Sequence, residues 1–433
     1  ERPSPAGYRR FSWPKNLQIG SLASCRSMLD VRLVRENPEV IRKDLAKRHA
    51  PDKAKLLDSV IQWDKEWRKA LAEGDALKRR RNEITKEIAA AKKADENADK
   101  LRKEAAALPK KIAALDLRIE ELAGQVRDGL LRLPNLLHES VPIGKDDSEN
   151  VEVSRWGTPR TVDFELRPHG ELLEALRLAD FERARKIAGA GFVYLLGDLV
   201  RLDQALLSFA LDYMVKQGFT AVFPPFLMRR AAYEGVVDLT DFENVMYKID
   251  GEDLYLIATS EHPMGAMFMD EVIDLGRLPV TLTGLATQFR REIGAHGVDT
   301  KGLFRMHQFN KVEQFVFCRP EDSWTWHEKL RANGEAIYRA LEIPYRVVNV
   351  CTGDIGTVAA KKYDIEAWSP RQQAYREVIS CSNCTDYQAR RLNIRAGKVG
   401  GEKFVPHTLN ATRASAPMRR VPPSTTVHGL VRT

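Results

Sequence analysis

The sequence predicts an α+β chain: an N-terminal antiparallel coiled-coil hairpin, followed by a part in which antiparallel strands alternate with helices. Two stretches carry that reading. From Val60 to Val126, apolar residues return in steps of three and four along two legs separated by a polar break. Two heptad legs with a short hinge make a helical hairpin. From Thr283 to Phe317 the chain reads TGLATQFRREIGAHGVDTKGLFRMHQFNKVEQFVF, with strand-like ends around Leu285, Ala286 and Phe289 and around Phe309, Val312, Phe315, Val316 and Phe317. Those ends suit two antiparallel strands.

The totals bound the rest. A chain of 433 residues, 43% hydrophobic and 30% charged, has length for two or three domains and an ample core. No run of about 18 apolar residues occurs, so no stretch is a candidate membrane span. A net charge of +8 is compatible with a nucleic-acid partner without requiring one. The cysteines are Cys25, Cys318, Cys351, Cys381 and Cys384. An odd, sparse set argues for a reducing compartment, the cytoplasm. Cys381-Ser-Asn-Cys384 has the spacing of half a zinc site, but no second pair completes four ligands. A packed turn is the expectation there.

Taken in order, residues 1–27 are rich in Pro, Ser and Arg without useful periodicity and read as an extra, disordered segment. A helical domain is expected over 28–145, its arm spanning about 54–133. The outgoing leg carries Val60, Trp63, Trp67, Ala70, Gly74, Leu77, Arg81, Ile84 and Ile88. The return leg carries Leu101, Ala105, Leu108, Ile112, Leu115, Ile119, Leu122 and Val126. Pro109 should kink the return helix or mark its start. The basic cluster Lys78, Arg79, Arg80 and Arg81 suits a polyanion, although such runs commonly just face water. Lys145 to Val162 reads as a linker. Leu199 to Gln217 then reads as a helix with Leu199, Leu202, Leu206, Phe209, Ala210 and Tyr213 on one face, stopped by Gly218 and followed by a strand over Thr220–Phe226.

Several residues suggest phosphate chemistry by type alone. Arg290, Arg291 and Arg305 offer guanidinium forks for phosphate oxygens, and Glu292 and Glu313 could hold an ammonium, an amide or a metal ion. Thr259-Ser260-Glu261, standing alone, reads as a helix cap. Neither a GxxxxGK[ST] loop nor a GxGxxG after a strand is present.

The order of words in these stretches adds more. Phe-Arg-Arg-Glu followed by Gly-Leu-Phe-Arg-Met-His-Gln-Phe-Asn-Lys-Val-Glu closely resembles motif 2 of class II aminoacyl-tRNA synthetases, within them the seryl-tRNA synthetase family. The helix and strand over 199–226 resemble motif 1, and His407-Thr-Leu-Asn-Ala-Thr412 resembles the opening of motif 3. The resemblance implies a class II antiparallel β-sheet surrounded by helices over 146–412, an arm that embraces tRNA(Ser), and a homodimer formed through motif 1. It implies activation of serine by ATP and transfer to tRNA(Ser), and it also admits tRNA(Sec). For ATP it points to Arg290, Arg291, Glu292, Met306, Phe309, Glu377, Val378, Ile379 and Ser380, with Mg2+ held by Glu377 and Ser380. For serine it points to Thr259, Ser260, Glu261, Arg290, Glu313 and Thr412. Arg290 and Arg305 are the implied catalytic pair, and Lys78 to Arg81 the implied tRNA contact.

The resemblance stops after Thr412. Met418 stands where the family has an arginine, and Pro417, Pro422 and Pro423 break any long helix. Residues 413–433 therefore read as an atypical tail. A shifted frame, a truncation or a diverged paralogue would each produce it. A catalytically impaired, tRNA-binding relative is the alternative this motivates, with weak ATP binding expected.

Overall fold

The computed structural model describes residues 31–94, 97–160, 162–239, 243–292, 302–398 and 400–416. The expectations for residues 1–27 and for Met418 lie outside these.

Two short helices, α1 (Val31–Glu36) and α2 (Pro38–Lys47), lead into the long pair α3 (Pro51–Lys93) and α4 (Asp99–Arg132). Pro38 and Pro51 open their helices where a missing N–H costs nothing. With 43 residues, α3 extends roughly 65 Å at 1.5 Å per residue. Its seam buries Val60, Ala70, Gly74 and Ile84 against Leu108, Ile112, Leu122 and Val126. Gly74 faces Ile119 and Leu115 across the seam at distances where an added methyl would make ordinary contact.

Two details differ from the periodicity. Arg81 is exposed and takes no place in the seam, because a guanidinium cannot be buried without a partner. Pro109 lies inside α4, ten residues past its start, on an exposed face. Water can reach the carbonyl it leaves unbonded, so it does not mark the helix start.

The second half is built on one eight-stranded sheet. In chain order its strands are β1 (Val151–Trp156), β2 (Thr220–Val222), β3 (Val280–Phe289), β4 (Gln308–Cys318), β5 (Tyr345–Asn349), β6 (Lys361–Ser369), β7 (Ala374–Thr385) and β8 (His407–Ala416). They lie side by side as β1-β5-β6-β7-β8-β4-β3-β2. Every pairing is antiparallel except that of β2 with β3, which is parallel. The stretch expected as linker thus supplies an edge strand, β1. β2 is shorter than expected, ending before Pro224 and Pro225.

One face of the sheet packs on α5 (Asp198–Lys216) and α6 (Ser323–Ala340) around Leu330, Ile337, Ile365 and Ile379. α5 buries Asp203, Leu207, Ala210 and Met214. The expected face is rotated outward, leaving Leu202, Leu206 and Tyr213 half-buried and Phe209 40% exposed. Cys381 and Cys384 lie within β7, buried and free, not in a turn. Among the described residues, no helix is long and apolar enough to cross a membrane.

Candidate active site

The face of the sheet opposite α5 and α6 carries a cavity of about 410 Å³. Strand alternation explains what lines it, since every second side chain shares a face. From β4 come Phe309, Lys311 and Glu313; from β8, Asn410 and Thr412; from β7, Ser380, Ser382 and Cys384. Registers align them: Thr412 lies opposite Glu313 and Ser382 opposite Asn410. Glu377 is out of step with Ser380 by simple alternation. A bulge corrects this: Ile379 faces Ile365 and Glu377 faces Glu366, so Val378 is the extra residue. Glu377 and Ser380 therefore both line the cavity.

The β3–β4 hairpin delivers Arg290 at its mouth. The Arg290 N–H donates to the His307 carbonyl at 2.9 Å and its Nε to the Ala258 carbonyl at 3.0 Å. Its guanidinium lies 5.7 Å from the centre of the Phe309 ring. Ile257 through Glu261 closes one wall. The Glu261 N–H donates to Thr259 Oγ1 at 3.3 Å as the short helix Glu261–Gly265 begins, but the N-cap residue Ser260 makes no side-chain cap bond, so this is a local turn and not the expected helix cap. A Cβ on Gly284 would sit 2.8 Å from Met264, so the bare strand backbone is what admits this segment.

A buried charge cluster sits at the base. Lys311 Nζ donates to Thr259 Oγ1 at 2.6 Å and contacts the Glu313 carboxylate. Thr412 Oγ1 donates to Glu313 Oε2 at 3.4 Å. Glu261 Oε1 accepts from Gln388 Nε2 and from Asn410 Nδ2, each at 3.0 Å. Burial, and then the nearby Glu313, push the Glu261 carboxyl up to about 7. Burial also raises Glu313, with Lys311 opposing, and lowers the Lys311 ammonium, with Glu313 opposing. Burial first, then Lys311 and Arg290, hold His262 well below its usual value, so its imidazole is neutral.

Across the cavity, Lys362 Nζ lies 3.0 Å from Asp364. Burial opposes its charge, but Asp364, Glu377 and Asp354 outweigh it and hold the ammonium above its ordinary range. No group of three or more His, Cys, Asp and Glu among the described residues could hold a metal ion. Glu377 and Ser380 together offer one carboxylate and one hydroxyl. That donor set fits magnesium when phosphate oxygens and water complete the sphere.

The structure thus brings together Thr259, Glu261, Arg290, Phe309, Glu313, Glu377, Val378, Ser380 and Thr412 around one cavity. Other expected residues stand apart. Ser260 is buried with its hydroxyl 3.5 Å from the Gly284 carbonyl. The Ile379 side chain belongs to the core under the sheet, so it could serve a ligand only through its backbone. Met306 packs with Leu173, Ala179 and Leu303. Arg291 and Arg305 are exposed, and Arg305 Nη1 lies 3.6 Å from Glu292. On the arm, Lys78 pairs with Asp116 at 2.8 Å and Arg80 with Glu104 at 2.9 Å, while Arg79 and Arg81 face solvent.

Sequence reasoning missed Lys311, Asn410, His262, Lys362 and Gln388. Lys311 and Asn410 were within reach, each two residues before a named site residue on the same strand. Gln388 reaches Glu261 from a distant segment, and nothing local signals it.

The site and sheet define a class II aminoacyl-tRNA synthetase, and the model of the class II core domain shared by Gly, His, Pro, Ser and Thr enzymes matches residues 244–421. The model of the seryl-tRNA synthetase N-terminal domain matches residues 28–137. A serine--tRNA ligase of Methanoregula boonei is 59% identical over 387 residues, 89% of this chain and 91% of its own. One of Methanospirillum hungatei is 57% identical over the same shares. The crystal structure of seryl-tRNA synthetase from Pyrococcus horikoshii complexed with ATP superposes with a TM-score of 0.85 at 47% identity, covering 89% of this chain and 91% of that one. The chain belongs to the seryl-tRNA synthetase family. The impaired-relative alternative is not favoured, given the high identity to serine--tRNA ligases over 89% of the chain and the likeness to the homologue solved with ATP.

Proposed function

We propose that this chain activates serine with ATP to seryl-adenylate and transfers the seryl group to tRNA(Ser), with tRNA(Sec) as a second acceptor. The observation that carries this reading is the set Thr259, Glu261, Lys311, Glu313 and Thr412 under Arg290, with Thr259, Lys311 and Glu313 buried and Glu261 and Thr412 half-buried. It is a small pocket with carboxylates for an ammonium and polar partners for a hydroxyl, beside a guanidinium for phosphate. The homologue solved with ATP and the cytoplasmic one from Naegleria fowleri solved with AMP, at a TM-score of 0.80 and 35% identity, support a nucleotide there.

In the reaction a serine carboxylate oxygen attacks the α-phosphorus. The bond to pyrophosphate breaks, and its electron pair leaves with pyrophosphate. Arg290 stands where negative charge grows on the α-phosphate, and such preorganised charge is a large part of catalysis. Glu261 and Glu313 orient the serine ammonium and hydroxyl, with Thr259 and Thr412 beside them. Phe309 stacks on adenine, with Glu292 and the Met306 backbone at its edge; Arg291 serves the ATP, and Arg305 meets the pyrophosphate end or the serine carboxylate. Glu377 and Ser380 would hold magnesium, which when bound would supply neutralising charge to the phosphates. Holding two substrates in line does much of the remaining work.

The helical domain, residues 28–145, with the basic cluster on its arm, serves the tRNA, and residues 146–412 the chemistry. The apolar surface of Val200, Phe209, Phe223 and Leu227, all between 38% and 74% exposed, supports a homodimer through α5 and β2. Free buried cysteines accord with the cytoplasm. Serine-dependent ATP–pyrophosphate exchange tests the reading. Exchange with serine alone among amino acids is expected, and exchange with none or with another amino acid would overturn it.

A further inference from the structure

The cavity has a wall that comes from neither hairpin nor motif. Gly356, Thr357, Val358 and Ala359 line it, as do Asp238 and Cys384. Each of these three segments is tied to the root of the helical arm.

Asn135, three residues past the end of α4, is the centre of the tie. Its N–H donates to the Thr357 carbonyl at 2.8 Å. Its Nδ2 donates to the Val358 carbonyl at 3.0 Å and to the Cys384 carbonyl at 2.8 Å, and its Oδ1 accepts from the Leu136 N–H at 2.9 Å. Asn135 is 4% exposed, and its bond to the Cys384 carbonyl is fully buried. Arg48, just beyond α2, braces the same loop from outside. Its Nη2 donates to the Asn135 carbonyl at 2.8 Å and its Nη1 to the Gly356 carbonyl at 3.3 Å. Lys53 in α3 reaches Asp238 at 3.5 Å and the Arg132 carbonyl at 2.8 Å. Tyr387 donates its hydroxyl to the Leu133 carbonyl at 3.0 Å, and the next residue, Gln388, holds Glu261.

A loop fixed through its backbone carbonyls keeps its shape only while the donors stay in place. Here the donors belong to the helical domain at the root of the arm. We infer that Asn135 and Arg48 are positioning residues of the serine-activation site: the root of the arm holds the 356–359 wall of the cavity, so the helical part helps shape the site for the first reaction as well as serving the tRNA. This rests on the function proposed above.

The test uses the full chain with Asn135→Asp and Arg48→Met, the first preserving size and the Oδ1 acceptor while removing the donor. Without tRNA, the KM for serine or ATP in pyrophosphate exchange should rise about fivefold to a hundredfold, the size expected for leaving a buried carbonyl unsatisfied. The kcat should stay near the parent's. Simple loss of folded protein lowers kcat and leaves KM unchanged, so the split separates positioning from instability. Arg48→Lys should recover part of the KM. Amide hydrogen exchange over residues 353–360 should also quicken in both variants, a readout independent of activity. Parental KM values with unchanged exchange would overturn the inference. A parent chain that exchanges no pyrophosphate, with faster hydrogen exchange in the variants, would sink the proposed function and leave the brace standing.

Discussion

Two lysine–carboxylate pairs in this protein have the same chemistry and opposite settings. Lys78 and Asp116 bridge the helices of the arm at 2.8 Å, both more than 40% exposed. Lys311 and Glu313 touch on β4 with both side chains under 10% exposed. Water screens the first pair, and exposed pairs contribute about 0–1 kcal/mol. The second pair has lost its water, so removing one partner strands the other at a cost of about 3–5 kcal/mol. The exposed lysine can therefore exchange its partner for a phosphate at little cost. The buried one is fixed and keeps the groups around it fixed. An RNA-facing surface needs the first behaviour, a pocket for one small amino acid the second.

The largest expected effect isolates the arm's side of this contrast. Gly74 meets Leu115 and Ile119 across the seam, so replacing the arm beyond that level with a short turn leaves its root intact. Charging of tRNA should then be lost while pyrophosphate exchange persists. Charging at the parental rate would remove the distal arm from RNA recognition. In the intact protein, tRNA affinity should fall steeply with added salt, as phosphate contacts do.

On the buried side, Lys311→Met should lower the unfolding free energy by about 3–5 kcal/mol, read from chemical denaturation. A loss below 1 kcal/mol would mean that Glu313 is not held by this pair. Arg290→Ala should slow serine activation by about 10²–10³-fold, the size of one lost transition-state charge partner. Arg290→Lys should recover little, since a point charge cannot replace the fork. Near-parental exchange by the alanine variant would take Arg290 out of the mechanism.

The Glu261 carboxyl supplies a pH signature. Its value near 7 lies above the ordinary 4.5, so this group supports folding at low pH and withdraws that support as pH rises from 4.5 through 7. Serine binding runs the other way, because the ammonium needs the ionised carboxylate. The KM for serine should fall roughly tenfold per unit as pH rises toward 7 and level off above it. Glu261→Gln should flatten that profile; a profile unchanged in the variant would assign the titration to another group. Smallest of all, Lys78→Ala should change stability by no more than about 1 kcal/mol, and a larger shift in the denaturation midpoint would show that the arm pair is not the weak member of the comparison.

What was legible in the sequence follows from how local each cause is. The strands β3 and β4 and the arm seam were readable because period two and the heptad are local patterns. Their errors are local too: Arg81 fits the spacing but not the solvent, and α5 turned because Asp203 is buried with its carboxylate 3.1 Å from Asn310 while Phe209 faces out. Motif wording found Arg290, Glu261 and Glu313. It also named Met306, Arg291 and Arg305, which the free chain holds outside the cavity. The braces of Asn135 and Arg48 and the reach of Gln388 were not legible, because each joins residues more than 80 positions apart.

The bulge at Val378 lets one strand be read in two frames. Before it, Glu377 follows the count set by Glu366; after it, Ser380 through Cys384 follow the count set by Asp364. The two halves of β7 are therefore independently adjustable, like two rulers joined at an offset. Closing the bulge, with Val378 taking Glu366 as its partner, would turn Glu377 from the wet face of the sheet to the oily one without moving Ser380. The strand would keep its length within one residue and its hydrogen-bonded neighbours, and the protein would keep its fold while losing a carboxylate from its nucleotide pocket.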